Sequence, residues 1–193
     1  QWLGAGCGVD HFLCVTLGTG LGGGWVSDGR LMRGFNGNAA EVGHITVDHQ
    51  GPRCPCGNYG CLEKYASATA MVTWTKQRLD DEKVTSSLDP STLTTKAIFD
   101  AAQAGDAVAL EMFESTGTYL GIGLVSLVNV TNVQMVALAG GLAAAEDLIF
   151  EPAKRAFMDR GTVGVKEHVD IVPASLGDDA GILGAARLAQ PGA

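Results

Sequence analysis

The stretch Phe12-Leu-Cys-Val-Thr-Leu-Gly-Thr-Gly-Leu-Gly-Gly-Gly-Trp-Val-Ser27 sets the architecture. Residues 12–17 read as a buried strand and residues 23–27 as its partner, with the glycine-rich run Gly18–Gly24 as the turn of a hairpin that starts a sheet. Consecutive backbone N–H groups in such a run can form an anion-binding concavity, and glycine lets phosphate approach closely. The run contains G-x-G-x-x-G at Gly18, Gly20 and Gly23, but a strand follows where a dinucleotide fingerprint needs a helix. No Gly-Lys-Ser/Thr follows for a Walker loop. A plain flexible hairpin turn is the competing reading.

Downstream, residues 28–40 read as loop, 42–48 as a short strand, and 49–61 as a knuckle rich in Gly, Pro and Cys. Helical spacing runs over 62–79, 95–104 and 106–128. Gly117, Gly121 and Gly123 interrupt the last of these. Each costs about 1 kcal/mol against alanine inside a helix, so their presence predicts close packing on another backbone. Residues 133–139 form a near-continuous apolar run, as in a central strand covered on both faces. Gly140-Gly141 ends it, and helix 144–159, strand 169–173 and helix 180–190 follow. This alternation predicts a mixed α/β sheet covered by helices. The polar stretch 80–93 reads as a surface loop.

The chain has 193 residues, 46% of them hydrophobic and 18% charged, with a net charge of −8. It shows no Lys/Arg cluster, which speaks against binding a nucleic-acid backbone. No apolar run is long enough to span a membrane, because 120–130 is broken by Gly121, Gly123, Ser126 and Asn129. No secretory signal is visible, so a cytoplasmic location is expected. Cys7 and Cys14 then read as ordinary thiols in a reducing compartment.

The other three cysteines lie within eight positions, as Cys54-x-Cys56-x4-Cys61, with His44 ten residues upstream. Three thiolates and one imidazole match a closed tetrahedral zinc site, although the spacing is not that of a C-x2-C finger. Buried thiols without metal are the alternative. Gly51, Pro52, Pro55, Gly57 and Gly60 leave little local core to bury them in. His49 is the rival imidazole. With four protein ligands no position is open to water, so the ion would be structural. Two further glycine clusters stand out. Gly140-Gly141 ends the buried strand, where ligands of open α/β sheets gather. Leu176-Gly-Asp-Asp-Ala-Gly181 precedes the last helix, which Asp178 or Asp179 could cap.

Together the strings Leu17-Gly-Thr-Gly-Leu-Gly-Gly-Gly24, Gly34-Phe-Asn-Gly-Asn-Ala-Ala-Glu-Val-Gly-His44, Cys54-Pro-Cys-Gly-Asn-Tyr-Gly-Cys-Leu-Glu63, Ala139-Gly-Gly141 and Leu176-Gly-Asp-Asp-Ala-Gly-Ile-Leu-Gly-Ala185 resemble the ROK family (repressors, open reading frames and sugar kinases) in the family's order. The look is nearest to its bacterial glucokinases. The resemblance implies an actin-like, ribonuclease-H-like ATPase lobe with a zinc-binding loop insertion at about 34–63. It implies ATP-dependent phosphorylation of a hexose, foremost glucose at the 6-hydroxyl, with Mg²⁺ accompanying ATP. A sugar-sensing repressor of the same family is the alternative. Glu41, His44 and Glu63 would contact sugar hydroxyls, with Asn38 in the same set. Gly18, Thr19 and Gly20 would approach the transferred phosphate, and Gly140 and Gly141 the adenosine. His44 would serve zinc through one nitrogen and sugar through the other, beside Cys54, Cys56 and Cys61. The family's Asp-Gly-Gly phosphate loop and its Asn-Asp pair, which carries the catalytic base, have no match before Gly4, and Asp10 lies after that segment. The expectation is therefore that residues 1–193 are a C-terminal lobe lacking its N-terminal partner. The catalytic aspartate would lie upstream of Gln1, leaving the 193-residue chain without turnover of its own. Its small-residue helix suggests a homo-oligomer, dimer or tetramer.

Overall fold

The computed structural model describes residues 2–81 and 84–190. Strand β1 (Phe12–Leu17) pairs antiparallel with β2 (Leu21–Ser27), in a register running from Phe12 opposite Val26 to Leu17 opposite Leu21. The turn is thus Gly18-Thr19-Gly20 alone, and Gly22, Gly23 and Gly24 belong to β2 instead of the loop. Gly23 has a steric reason: a Cβ there would fall 2.6 Å from Val42 Cγ2, so the bare strand surface admits a crossing segment. The two-residue β3 (Arg30–Leu31), too short to announce itself in sequence, flanks β2. On the other side of β1 lie β4 (Met135–Ala139) and β5 (Asp170–Pro173), both parallel, giving the order β3-β2-β1-β4-β5.

One face of this sheet carries the main core. Leu13, Val15 and Leu17 of β1 and Val136 and Leu138 of β4 are buried there with residues of the helices. The opposite face holds a smaller cluster of Phe12, Val26 and Ala137, packed by Ala5, Val9 and Ala174. Alternate residues of β4 serve the two clusters, which is why its sequence reads as unbroken apolar.

The helices are α1 (Glu63–Ala66), α2 (Ala68–Leu79), α3 (Thr95–Gln103), α4 (Ala107–Thr131), α5 (Asp147–Arg160) and α6 (Ala180–Leu188). Spacing alone joins α1 and α2. They are separated by Ser67, whose backbone is extended (φ −97, ψ 163) and whose hydroxyl accepts from Ala70 N–H at 3.1 Å to cap α2. Asp106 caps α4 through Val108 and Ala109 N–H and also takes the Ser87 N–H, which ties down the polar loop before α3. Of that loop, Glu82 and Lys83 lie outside the described residues. The α4 glycines are contact points. A Cβ on Gly117 would fall 2.5 Å from Pro152 of α5, one on Gly121 2.8 Å from Ala156, and one on Gly123 2.5 Å from Leu62. No helix among the described residues is long and apolar enough to cross a membrane.

The strand expected over 42–48 is instead a 3-10 turn (Val42–His44) followed by a single bridge between Thr46 and Cys61. Within that turn Gly43 sits against the Leu21 carbonyl, an approach that a residue bearing a Cβ could not make.

Candidate functional site

The metal-ligand candidates converge. One donor atom from each of His44, Cys54, Cys56 and Cys61 lies within 4.8 Å of all the others. Cys56 Sγ and Cys61 Sγ are 3.6 Å apart, and Cys54 Sγ is 3.8 Å from His44 Nδ1. Tetrahedral zinc with bonds near 2.3 Å to sulfur and 2.0–2.1 Å to nitrogen needs donor separations of about 3.5–3.8 Å. The donor set and its spacing therefore fit a divalent ion of that size. Burial, and then the Cys56 and Cys54 side chains, push the Cys61 thiol up to about 12. The Asn58 backbone instead draws the exposed Cys56 thiol below its ordinary value. A cation at the centre supplies the charge that lets all three ionise. His49 lies outside this group.

A hydrogen-bonded frame holds the cluster. Cys54 N–H donates to Asn58 O at 2.8 Å, and Asn58 Nδ2 reaches His44 O at 3.3 Å and Thr46 Oγ1 at 3.0 Å. Gly60 takes φ +61 and lies against Asp48 O. Tyr65 Oη donates to Asp48 Oδ2 at 2.8 Å, which joins the knuckle to α1. That bond and the Gln50 N–H hold the Asp48 carboxyl below the usual range.

Glu41 occupies the centre of an inverse γ-turn (φ −69, ψ 56), closed by Val42 N–H donating to Ala40 O at 2.7 Å. Ala40 before it adopts φ +63, a strained choice for alanine of the kind found at functional sites. This bend aims Glu41 back at His44, with Glu41 Oε2 3.9 Å from His44 Nε2. The two imidazole nitrogens thus face different neighbours, Nδ1 the thiols and Nε2 a carboxylate.

Glu63, the first residue of α1, comes to the same place from the other direction. Its Oε2 accepts from Leu21 N–H at 2.9 Å, while Gly43 packs on the Leu21 carbonyl. The two faces of one residue of β2 therefore bring together the Glu41–His44 turn and the Glu63 carboxylate. That meeting is not visible in the spacing, because Leu21 carries no chemistry of its own.

Gly18 and Thr19 of the turn line a cavity of about 470 Å³ together with Ala68, Lys96, Phe99, Gly141 and Ala145, while Gly20 is not on its wall. Gly18, Thr19 and Gly141 are thus united. Gly140 is not on the cavity wall: it adopts φ +92 and packs its backbone on Leu17, where a Cβ would fall 2.5 Å from the Leu17 oxygen. Its role is to let the β4 end pass β1. Lys96 and Phe99 of α3 were not singled out by sequence reasoning, and a lysine and a phenylalanine in an amphipathic helix give no signal that could single them out. Asn38 lies on the exposed 34–38 segment, where its backbone N–H donates to Asn36 Oδ1 at 3.3 Å. Asp178 and Asp179 sit before α6, but neither side chain caps it.

Comparison with known proteins bears on this arrangement. The glucokinase of Halalkalibacterium halodurans is 38% identical over 195 residues, covering 98% of this chain and 59% of that protein. The xylose repressor of Bacillus subtilis is 33% identical over 181 residues, covering 94% of this chain and 44% of the repressor. The crystal structure of a ROK family glucokinase from Streptomyces griseus, in complex with glucose and AMPPNP, superposes with a TM-score of 0.86 at 37% identity, over 97% of this chain and 63% of that one. The chain thus spans about three-fifths of the length of these glucokinases. The fold is the actin-like ATPase fold of ROK sugar kinases. The model of the ROK family matches residues 1–191, and the chain belongs to that family.

Proposed function

We propose that this chain forms the hexose-holding and part of the nucleotide-holding side of an ATP-dependent sugar kinase, with glucose as substrate and the 6-hydroxyl as acceptor. The carrying observation is the meeting at Leu21 of Glu63 with the turn that bears Glu41 and His44, next to a glycine turn that opens on a nucleotide-sized cavity. Carboxylates accept hydrogen bonds from neighbouring hydroxyl pairs, and His44 Nε2 offers a further polar contact. Asn38 completes the sugar set when the 34–38 segment meets its ligand. In the reaction the acceptor hydroxyl oxygen bonds to the γ-phosphorus, the β–γ bridging bond breaks, and the hydroxyl proton passes to a base. The Thr19 and Gly20 N–H groups face the phosphates, the Gly18 N–H being taken by Gly20 O at 3.0 Å, and the wall of Lys96, Phe99 and Gly141 faces the nucleoside, with Mg²⁺ accompanying ATP. Zinc held by His44, Cys54, Cys56 and Cys61 would fix the loop that carries these groups and take no part in bond making.

No residue of this chain matches the family's Asn-Asp pair, so the reading assigns the base to residues outside these 193. The 193-residue chain is expected to bind glucose without turning it over. Glucose titration followed by amide NMR shifts at Val42, His44 and Glu63, together with a coupled ATP–glucose assay, tests both parts. No shift at these residues would refute the hexose site, and ordinary turnover would refute the placement of the base. The 33% identity to a xylose repressor supports one other reading, in which the same pocket holds an inducer sugar. Binding of xylose in preference to glucose would favour it.

A further inference from the structure

Three hydrogen bonds tie the phosphate-facing turn to one short segment, residues 63–69. Glu63 Oε2 accepts from Leu21 N–H at 2.9 Å, Ala68 N–H donates to Gly18 O at 2.8 Å, and Thr69 Oγ1 donates to Thr19 O at 2.7 Å. They straddle the turn, with one on the residue after it and two on carbonyls within it. The break at Ser67 makes this possible. In an unbroken helix Ala68 N–H would bond to Lys64 O. With Ser67 extended, the Ala68 N–H is released to Gly18, and Lys64 O is taken by Trp74 Nε1 at 2.8 Å. Gly20 is glycine for the same reason: its φ is not in the left-handed region, but a Cβ there would fall 2.5 Å from Glu63 Oε2.

We propose that residues 63–69 are a clamp through which an occupied hexose site sets the phosphate-facing turn, with Glu63 and Thr69 as positioning residues. The inference rests on the hexose reading of Glu63 above. An ionised carboxylate has about four acceptor sites. Oε2 spends one on Leu21, which leaves Oε1 for a sugar hydroxyl. A hydroxyl there restricts the Glu63 rotamer, and with it the Leu21 amide and the turn. A nucleotide then meets a turn already ordered and loses less entropy on binding. By linkage the effect is reciprocal, so nucleotide must tighten hexose by the same factor. Thr69 is exposed, so its bond to Thr19 competes with water and is the weaker hold on the turn.

The test is an NMR titration of the 193-residue chain with glucose, with and without MgAMPPNP, in wild type, Thr69→Val and Thr69→Ser. In wild type, glucose should move the Gly20 and Leu21 amides as well as Val42 and His44, and nucleotide should tighten glucose by about fivefold or more. Thr69→Val should lower that ratio without abolishing it, because the Glu63 and Ala68 ties remain, and Thr69→Ser, which keeps the hydroxyl, should restore it. Shifts at Val42 and His44 without shifts at Gly20 and Leu21 would overturn the clamp while leaving the hexose site standing. So would a wild-type ratio of one, or a ratio undiminished in Thr69→Val. Silence at all four amides would overturn the hexose reading and the clamp together.

Discussion

Gly43→Ala is the substitution that bears most directly on how the site is assembled. A Cβ at Gly43 collides with the Leu21 carbonyl. That carbonyl cannot retreat freely, because Leu21 is buried, pairs with Leu17 in the hairpin register, and is held by Glu63 through its own N–H. The turn carrying Glu41 and His44 must move instead. Inserting a methyl group into a closed contact of this kind costs about 1–3 kcal/mol. For a chain of this size each kcal/mol lowers Tm by about 2–4 °C, so a fall of roughly 2–12 °C is expected. If the displacement breaks one hydrogen bond between a hydroxyl and a charged group, about 1.5–3 kcal/mol of binding is lost, or roughly 10–100-fold in glucose affinity. Gly24→Ala is the matched control: it lies in β2 with Leu21, and a Cβ there meets nothing within 4 Å. Scanning fluorimetry, calorimetric titration with glucose and metal analysis on both variants give the answer. Metal content should fall less in Gly43→Ala than in Cys54→Ser, because only the His44 ligand is displaced and the three thiols are untouched. A Gly43→Ala protein that melts and binds glucose like Gly24→Ala would refute the claim that Leu21 is the common anchor.

Purified wild-type protein should hold one zinc per chain and Cys54→Ser well under half of that, measured by plasma mass spectrometry; equal content in both would remove the site. Asp106→Ala should cost about 1–2 kcal/mol at neutral pH as a lost helix cap. Burial pushes the Asp106 carboxyl up, but the Ser87 and Ala109 N–H groups and the Ser86 and Ser87 hydroxyls outweigh it and bring it to about 2. Because its folded pKa is depressed, this contribution is complete above about pH 4 and disappears as pH falls through about 2. Denaturant unfolding of wild type and variant across that range should show the gap closing, and a constant gap would count against it. Gly121→Ala should destabilise by about 1–3 kcal/mol, since its Cβ would fall 2.8 Å from Ala156, whereas a helix-propensity argument alone predicts a gain. Urea midpoints separate the two signs.

The hairpin, the buried strand and the long helix were legible because each rests on one local rule: period two, an unbroken apolar run, or a helical stripe with glycines at its contact. The convergence of His44, Cys54, Cys56 and Cys61 was legible because thiols in a loop of Gly and Pro have few uses other than holding a metal. The α1–α2 break was not, since Ser67 reads as no more than a minor irregularity in the helical spacing and acts through a backbone turn that frees Ala68 N–H for a partner fifty residues away. The turn at 42–44 was missed for a related reason, because the constraint on Gly43 comes from the Leu21 backbone. The lining of the nucleotide-sized cavity by Lys96 and Phe99 arises only when α3 is laid beside the β1–β2 turn. Local pattern reports what a residue prefers, and these positions are set by what a distant backbone leaves room for.

The chain leaves the body of the protein at Ile45 and Thr46 and returns beside them: Thr46 bridges Cys61, and Leu62 N–H donates to Ile45 O at 2.9 Å. The knuckle is thus a closed excursion with adjacent ends. Lengthening such a loop adds little closure entropy, about 0.6 kcal/mol per doubling. Length is therefore not what fixes residues 47–60: Cys54, Cys56 and the Asp48 acceptor of Tyr65 are, and a loop of another length that brings two thiols and an acceptor to the same places would leave His44 and α1 where they are.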